Sequence, residues 1–526
     1  MGKTGIFFKK RKFFLSLLLL FFLFTACIST FAASRSASST IRIRIIQTTD
    51  IHGQYSSYAK PGIMELGYLV EKAREEAGEK NTLYIDCGDL FQGTFESSLD
   101  QGRMMISALN LMKCDSFIPG NHDLDFSLPV LLDHLSLFKG KILSTSWRFA
   151  SPKAPEILSY GIFQKAGIKI AVIGLSPRYM ESWFAPEALE GLIRQNAAKE
   201  IAKIMPQLME EKPNLIILAM HEGEYRSTLK EGKKEKGFLS HLFRQWPQID
   251  LVLGGHTHQV SAGKRCYFDQ WYVQAPALAG GIGVIDVHFD AESRKLLSIS
   301  SEIREPIKGQ RSPEMEKLFS GKLQEKEKAG RNRLGSLPFA PSPMGKSVYK
   351  GMKNPFAALV GKAMREAVHT PAAFHGTMGN YKCNAGNITE RRLFLLLPYE
   401  NTISSIMLTP EECRKVIEEQ CRNVRFGNFQ IPSGIRFSFV KGKVGKFLYN
   451  EDGSLWQEGE KEIAFTSYAL SGAGGRFPFL AKLSVKKAHT KKVHTITVRK
   501  AVEKYIRKHY SGRIYKTGKK GLNDAK

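Results

Sequence analysis

The sequence predicts an α/β fold, a sheet covered by helices, and three observations predict it. Between Ile41 and about Asp286, short β-branched or apolar runs alternate with stretches of helical periodicity, the pattern that sets helices against the faces of a sheet. The chemistry-bearing polar clusters of this region follow those runs directly and in one orientation, and ligands in such sheets gather beyond the strand carboxyl ends. The chain has 526 residues, 43% of them hydrophobic, which is more than one core usually organises, so two or more domains are expected.

Lys9 to Lys12 read "KKRK", an apolar run extends from Phe13 to about Ala26, and small and polar residues continue to Thr40. That is the pattern of a secretory signal peptide over 1–33, too short for a comfortable membrane span. Cleavage is expected after Ala32 or Ala33; alternatively "FTAC" resembles a bacterial lipobox with Cys27 as the lipidated residue. A membrane is therefore a partner only through Cys27 or an uncleaved leader, and the rest is expected to be soluble. The strands follow as "IRIRIIQ" from Ile41, "TLYIDCG" from Thr82, "IAVIGLS" from Ile170, "NLIILAM" from Asn214 and "DLVLGG" from Asp250. Helices are expected at "MELGYLVEKAREEAG" and "AAKEIAKIMPQLMEEK".

The loops after those strands carry the constellation. Asp50 and His52 follow the first; "CGDLFQGT" gives Asp89; "PGNHDLDF" gives Asn121, His122, Asp123 and Asp125; His221 follows "NLIILAM"; "GHTHQV" gives His256 and His258. Imidazoles, carboxylates and an amide without thiolate suit a pair of zinc, manganese or iron ions, and a carboxylate between two cations can bridge them. Two such ions can hold a phosphoryl group, activate a water and steady charge on both sides of an in-line displacement. Any one of these histidines alone would be an ordinary core or capping residue. Five clusters at the strand ends of one sheet are not.

From Arg304 to about Lys350 the pattern changes, with a charged helix, "EMEKLFSGKLQEKEKAGRNR", and a Pro/Gly/Ser-rich stretch, "GSLPFAPSPMG". Residues 304–344 are expected to be the linker between a domain at 41–303 and a second α/β domain at 345–512, with a basic tail at 513–526. In the second domain "NPFAALVGKAMREAV" and "PEECRKVIEEQCRNV" read as helices, and "NTISSIMLT" and "KEIAFTSYALSG" as strands, the latter running into a glycine-rich loop. Cys413 and Cys421 lie on one helix, roughly 12 Å apart and beyond disulfide reach; most of the cysteines after the leader are expected to be buried free thiols. With 77 Lys and Arg against 50 Asp and Glu the formal charge is +27, but the excess is spread, no nucleic-acid motif accompanies it, and a solvated basic face is expected. Nucleic acid is not an expected partner.

The motifs "DIHGQ", "GDLFQGT", "GNHDLDF" and "GGHTH", in this order with His221 after an apolar strand, resemble the calcineurin-like metallophosphoesterases, specifically the secreted 5'-nucleotidase group that includes UDP-sugar hydrolases and 2',3'-cyclic phosphodiesterases. The resemblance implies a four-layer αββα sandwich followed by a smaller mixed α/β domain. It implies two divalent cations, zinc, manganese or similar, held by Asp50, His52, Asp89 and His258 on one side and by Asp89, Asn121, His221 and His256 on the other. His122 and Asp125 match the family's His–Asp dyad, where a carboxylate orients a cationic imidazole. That imidazole stabilises the phosphoryl oxygens or protonates the leaving oxygen. Asp123 stands where the family has Glu and is read as a supporting or turn residue; Glu222 and Glu224, beside His221, are read as solvated loop carboxylates.

In the second domain "AGNITERRLFLLLPYENTI" and "SYALSGAGGRFPF" resemble the family's substrate segments. By that likeness Tyr399 and Tyr468 would sandwich a nucleobase, with Asn401 a polar contact to it; stacking needs only flat π-faces. Two departures stand out. The family's arginine of the GGIR motif falls at Asn380, and the family's Gly-Gly-Asp loop has become "SGAGGRF", which brings Arg476 either as a replacement cation or as a loop cap. The expected function is an exported, periplasmic or cell-surface phosphohydrolase that releases phosphate from nucleoside monophosphates by attack of a metal-activated hydroxide. The alternatives are a cyclic-nucleotide or UDP-sugar phosphodiesterase, or a non-nucleotide phosphomonoesterase, on the same metals. A catalytically silent surface binding protein has no need of the whole set.

Overall fold

A computed structural model of the chain describes residues 39–56, 60–223, 238–266, 269–341, 354–375, 379, 381–422, 430–440 and 443–512. The leader with Cys27, Glu224, Asn380 and the tail 513–526 lie outside the described residues.

Each expected strand of the first domain is present, but they divide between two sheets and not the one sheet expected to carry all five clusters. One six-stranded sheet runs Leu296–Arg304, Ile282–Asp290, Thr40–Thr48, Thr82–Asp86, Ser116–Phe117, Lys141–Ile142. The other runs Ser261–Cys266, Gln270–Gln274, Leu251–Leu253, Leu215–Met220, Ile168–Leu175, Tyr160–Lys165. The pairs that carry the site loops are parallel, while the strands 282–290 and 160–165 add antiparallel.

Successive side chains on a strand point to opposite faces, and this alternation builds the layers. Ile43 and Ile45 of the first sheet and Leu83 and Ile85 beside them meet Ile170, Val172, Ile217 and Leu253 of the second in one buried cluster between the sheets. The intervening Ile46 and Tyr84 face Leu66, Val70, Met105 and Leu131, from helices Ile63–Ala77, Arg103–Leu111 and Leu128–Leu137. On the far side, Ala171, Ile173 and Leu218 pack on Ile201, Met205 and Phe243 of helices Ala197–Glu210 and Phe238–Gln245. The result is helix, sheet, sheet, helix.

The second domain has a five-stranded sheet in the order Ile431–Ser433, Ala372–His375, Lys461–Thr466, Thr402–Leu408, Lys492–Thr497. Helices Pro355–Val368 and Val498–Tyr510 contribute to the core on one face, and Pro410–Arg422 and Pro478–Lys486 to that on the other. Beyond the strand 461–466 the chain turns helical at Ser467–Leu470, because the Thr466 hydroxyl accepts the Ala469 N–H at 3.0 Å and caps the turn.

The expected connector is not a free linker. Its charged helix, Pro313–Gly330, buries Met315 and Phe319 in the core of the first domain. The following strand, Arg333–Leu337, pairs antiparallel with Gly386–Thr389 and buries Leu334 and Leu337 in the core of the second. Most of the helix's charges face outward, Lys326 is buried against Tyr55 and Asp100, and apolar residues at helical spacing decided where it docks. Among the described residues Cys87, Cys114, Cys383, Cys413 and Cys421 are free thiols, and no helix is long and apolar enough to cross a membrane.

Candidate metal centre and active site

The strand ends deliver their loops in a strained but well-supported form. Asp50, His52, Asp89, His256 and His258 all have positive φ, between 51° and 66°, a conformation that costs a non-glycine residue of order 1 kcal/mol. The backbone holds them there: the Asp50 N–H donates to the Gly88 carbonyl at 2.7 Å and the His52 N–H to the Asp89 carbonyl at 2.8 Å. Gly120 is needed for close approach, because a Cβ there would stand 2.3 Å from Asp89 Oδ1. Asp123, buried, ties two of the loops together by accepting the N–H groups of Asp89, Leu90, Phe91 and Gly120 at 3.0, 2.7, 3.2 and 2.7 Å. Its role as a supporting residue is thus built into the backbone.

Two groups of ligand-type atoms result, Asp50 with His52 and His258, and Asp89 with His221 and His256, each with its atoms within 4.8 Å of one another. In the first, Nε2 of His258 lies 3.2 Å from Asp50 Oδ1 and 3.1 Å from Nε2 of His52. In the second, His221 Nε2 lies 3.0 Å from Asp89 Oδ2. His52 Nε2 is 3.8 Å from the same Asp89 oxygen, so Asp89 stands between the groups.

The donor set fits two divalent cations. Asn121 Oδ1 is buried with no hydrogen-bond partner among the described residues, and buried polar atoms are rarely left so without an unseen partner. The rings are held with their Nε2 atoms inward: His52 Nδ1 bonds the Gln92 carbonyl at 2.8 Å and His221 Nδ1 the Cys87 carbonyl at 2.6 Å. A carbonyl only accepts, so Nδ1 is the donor in each ring and Nε2 is the atom turned to the cluster.

His122 and Asp125 form the expected pair, with Nδ1 to Oδ2 at 2.9 Å. Burial opposes the charged ring, but the Asp125 and Asp89 carboxylates outweigh it and raise His122 to about 9. His256 differs: burial, with His221 adding to it, pushes it down to about 4. Burial would raise Asp89, yet His221 and His122 hold its carboxyl well below the ordinary range.

A cavity of about 870 Å3 opens over the centre and is walled by both domains. Asn121, His122, Asp125 and His256 line it from the first, Tyr399, Asn401, Tyr468 and Arg476 from the second. Every expected site residue thus lies at the two clusters or on this cavity. Arg476 donates to the Ala473 carbonyl at 2.7 Å and bonds the Tyr468 hydroxyl, so it caps its loop and braces the aromatic beside it. The structure corrects one expectation: Glu222 is buried, not solvated, in a two-pronged ion pair with Arg178 at 2.7 and 2.9 Å.

Trp183 was missed by the sequence reading. It lines the cavity with its ring 5.3 Å from that of His256, in a loop that follows the strand 168–175. It stands eight residues past the end of that strand and offers no ligand-type atom, so the sequence pattern does not mark it.

Comparison with known proteins agrees with this geometry. Residues 43–260 match the model of the calcineurin-like phosphoesterase family, and residues 341–482 that of the 5'-nucleotidase C-terminal domain. A 5'-nucleotidase of Vibrio cholerae is 29% identical over 240 residues, 44% of this chain; the chain spans 43% of that relative's length. A 5'-nucleotidase of Vibrio parahaemolyticus is 22% identical over 490 residues, covering 85% of this chain and 87% of that one. The crystal structure of a putative 5'-nucleotidase from Staphylococcus aureus in complex with alpha-ketoglutarate superposes with a TM-score of 0.73 at 17% identity, over 90% of this chain and 98% of that one, which is a likeness of fold. Two strand-end ligand clusters on a helix-sheet-sheet-helix domain, followed by the matching second domain, place the chain among the calcineurin-like phosphoesterases that carry a 5'-nucleotidase C-terminal domain.

Proposed function

We propose that the protein is an exported, metal-dependent phosphohydrolase that releases phosphate from nucleoside monophosphates. One observation carries the reading: His122, against the ligand clusters at 5.3 Å from the His52 ring, is also stacked on Tyr399 of the second domain. A group that bonds a phosphate at the clusters would thus have an aromatic platform one ring away. Export rests on the leader pattern at 1–33.

Asp50, His52, Asp89 and His258 would hold one cation, and Asp89, Asn121, His221 and His256 the other. Bound there, the ions supply Lewis acidity to the phosphoryl oxygens and lower the pKa of water. The chain's own groups do the rest. The imidazolium of His122, its Nδ1–H fixed by Asp125, presents Nε2–H to the phosphoryl or the departing ester oxygen. Asp123 holds the Asp89 loop rigid. Tyr399 and Tyr468 orient a base by stacking, which is worth about 1–3 kcal/mol per base.

One observation favours a second reading on the same metals, a phosphodiesterase for cyclic nucleotides or UDP-sugars or a non-nucleotide phosphomonoesterase. Among the described residues the cavity wall carries Asp125, Glu187, Glu190 and Glu400, of which Glu187 and Glu400 pair with Lys491 and Arg499, against the guanidinium of Arg476, and Asn380 stands where the resemblance implies an arginine. Phosphate release from AMP, UDP-glucose, 2',3'-cyclic AMP and an aryl phosphate, with Mn²⁺ or Zn²⁺ and after chelation, decides between them. Preference for AMP supports the first reading. Preference for the aryl phosphate, the cyclic ester or UDP-glucose supports the second, and no turnover with any metal removes both.

A further inference from the structure

Gln92 contacts both halves of the site. Its backbone carbonyl accepts the Nδ1–H of His52 at 2.8 Å, which fixes that ring for the first ligand cluster. Its side-chain amide crosses to the second domain and donates to the Pro398 carbonyl at 2.6 Å, the peptide that precedes Tyr399. The residue is 3% exposed, so neither bond is made in competition with bulk water. The next residue leaves no slack: a Cβ on Gly93 would stand 2.5 Å from the His52 carbonyl oxygen and 2.7 Å from its Cβ. Gln92 therefore shifts only if the backbone around His52 shifts with it.

The loop that receives this bond is held from its other side by Arg499. The Arg499 guanidinium donates to the carbonyls of Leu397 at 2.9 Å and Tyr399 at 3.4 Å, and pairs with Glu400. Those contacts lie within the second domain and keep the loop's shape. The Gln92 bond reaches across to that shaped loop from the first domain, beside the Phe95–Phe394 ring contact and the Arg391–Glu96 ion pair that seat the helix before it.

We propose that Gln92 is a positioning residue that seats the Tyr399 loop over the metal centre and, through the same peptide, ties that seating to the orientation of His52. The proposal rests on the nucleotide reading above, because Tyr399 matters only if a base stacks there. Losing a buried amide-to-carbonyl bond of this kind corresponds to about a tenfold change.

The test compares wild type, Gln92→Met, Tyr399→Ala and the double variant in the full chain. Adenosine binding is measured by calorimetry on chelated protein, and KM and kcat for AMP and an aryl phosphate with Mn²⁺. Gln92→Met is expected to weaken adenosine binding and raise KM for AMP by about tenfold, with KM for the aryl phosphate within about twofold. Added to Tyr399→Ala it is expected to change adenosine binding no further, since both act through one contact. If Gln92→Met misfolds, Gln92→Asn keeps the amide but draws it back by one methylene and is held to the same expectations. Adenosine binding equal to wild type, or a loss that adds in full to that of Tyr399→Ala, overturns the proposal. A wild type that binds no adenosine overturns the nucleotide reading itself, which is a separate result.

Discussion

His122 and Tyr399 face each other across the domain boundary with ring centroids 6.1 Å apart and planes 24° from parallel. One ring comes from the loop after the strand Ser116–Phe117, the other from the loop after helix Glu390–Leu396. The contact joins the ring proposed for proton transfer to the ring proposed for the base, and it separates two measurable roles.

Removing the proton carrier should cost rate whatever the substrate. His122→Ala is expected to lower kcat for AMP and for an aryl phosphate alike by about 10²- to 10⁴-fold, with little change in bound metal. A loss confined to AMP would assign His122 to recognition instead.

Removing the platform should cost recognition. Tyr399→Ala and Tyr468→Ala are each expected to raise KM for AMP by roughly 5- to 100-fold, in line with about 1–3 kcal/mol of stacking. The aryl phosphate should be affected far less. Equal losses on both substrates would mean that the tyrosines support the fold and not a base.

Asp123 makes a structural prediction. Four backbone N–H groups depend on its carboxylate, and an unsatisfied buried donor costs about 1–3 kcal/mol. Asp123→Ala is expected to destabilise the first domain by at least about 3 kcal/mol, read in urea melts, and to weaken metal retention because the Asp89 loop loosens. An unchanged melt would show that other groups satisfy those donors.

His375 makes a prediction about pH. It is buried in the second domain, and burial pushes its pKa down to about 3, whereas in the unfolded chain it titrates near about 6.5. Above that value it is neutral in both states and contributes nothing. Below it, the unfolded chain takes up a proton that the folded chain refuses, so stability falls by about 1.4 kcal/mol per pH unit until the folded pKa is reached. Between pH 6.5 and 5 the wild type should therefore lose about 2 kcal/mol more than His375→Leu. Equal losses would mean that the ring is hydrated or partnered in the folded state.

Much of the fold and of the candidate metal centre was legible because both follow from short-range patterns. The runs at Thr82, Ile170, Asn214 and Asp250 are largely apolar on both faces, as strands buried between a second sheet and helices must be, and the run at Ile41 alternates isoleucine with Arg42 and Arg44 before it turns apolar. The ligand residues stand within five residues of their ends. Where pairing is long-range the sequence was silent. Nothing local tells that Met315 and Phe319 of a charged helix dock on the first domain, that Glu222 meets Arg178, or that the amide of Gln92 reaches Pro398. Trp183, eight residues beyond Leu175, stands outside that span and carries no ligand-type atom to mark it.

The central claim is that Asp50, His52, Asp89, Asn121, His221, His256 and His258 hold two cations on which phosphoester hydrolysis depends. The direct measurement titrates chelated protein with Mn²⁺ and follows bound metal and phosphate release from AMP in the same samples, for wild type and Asp89→Asn. The account predicts two ions per chain, no turnover before metal is added, and loss of both binding and turnover in Asp89→Asn. Full turnover in the chelated protein, or in Asp89→Asn, would contradict it.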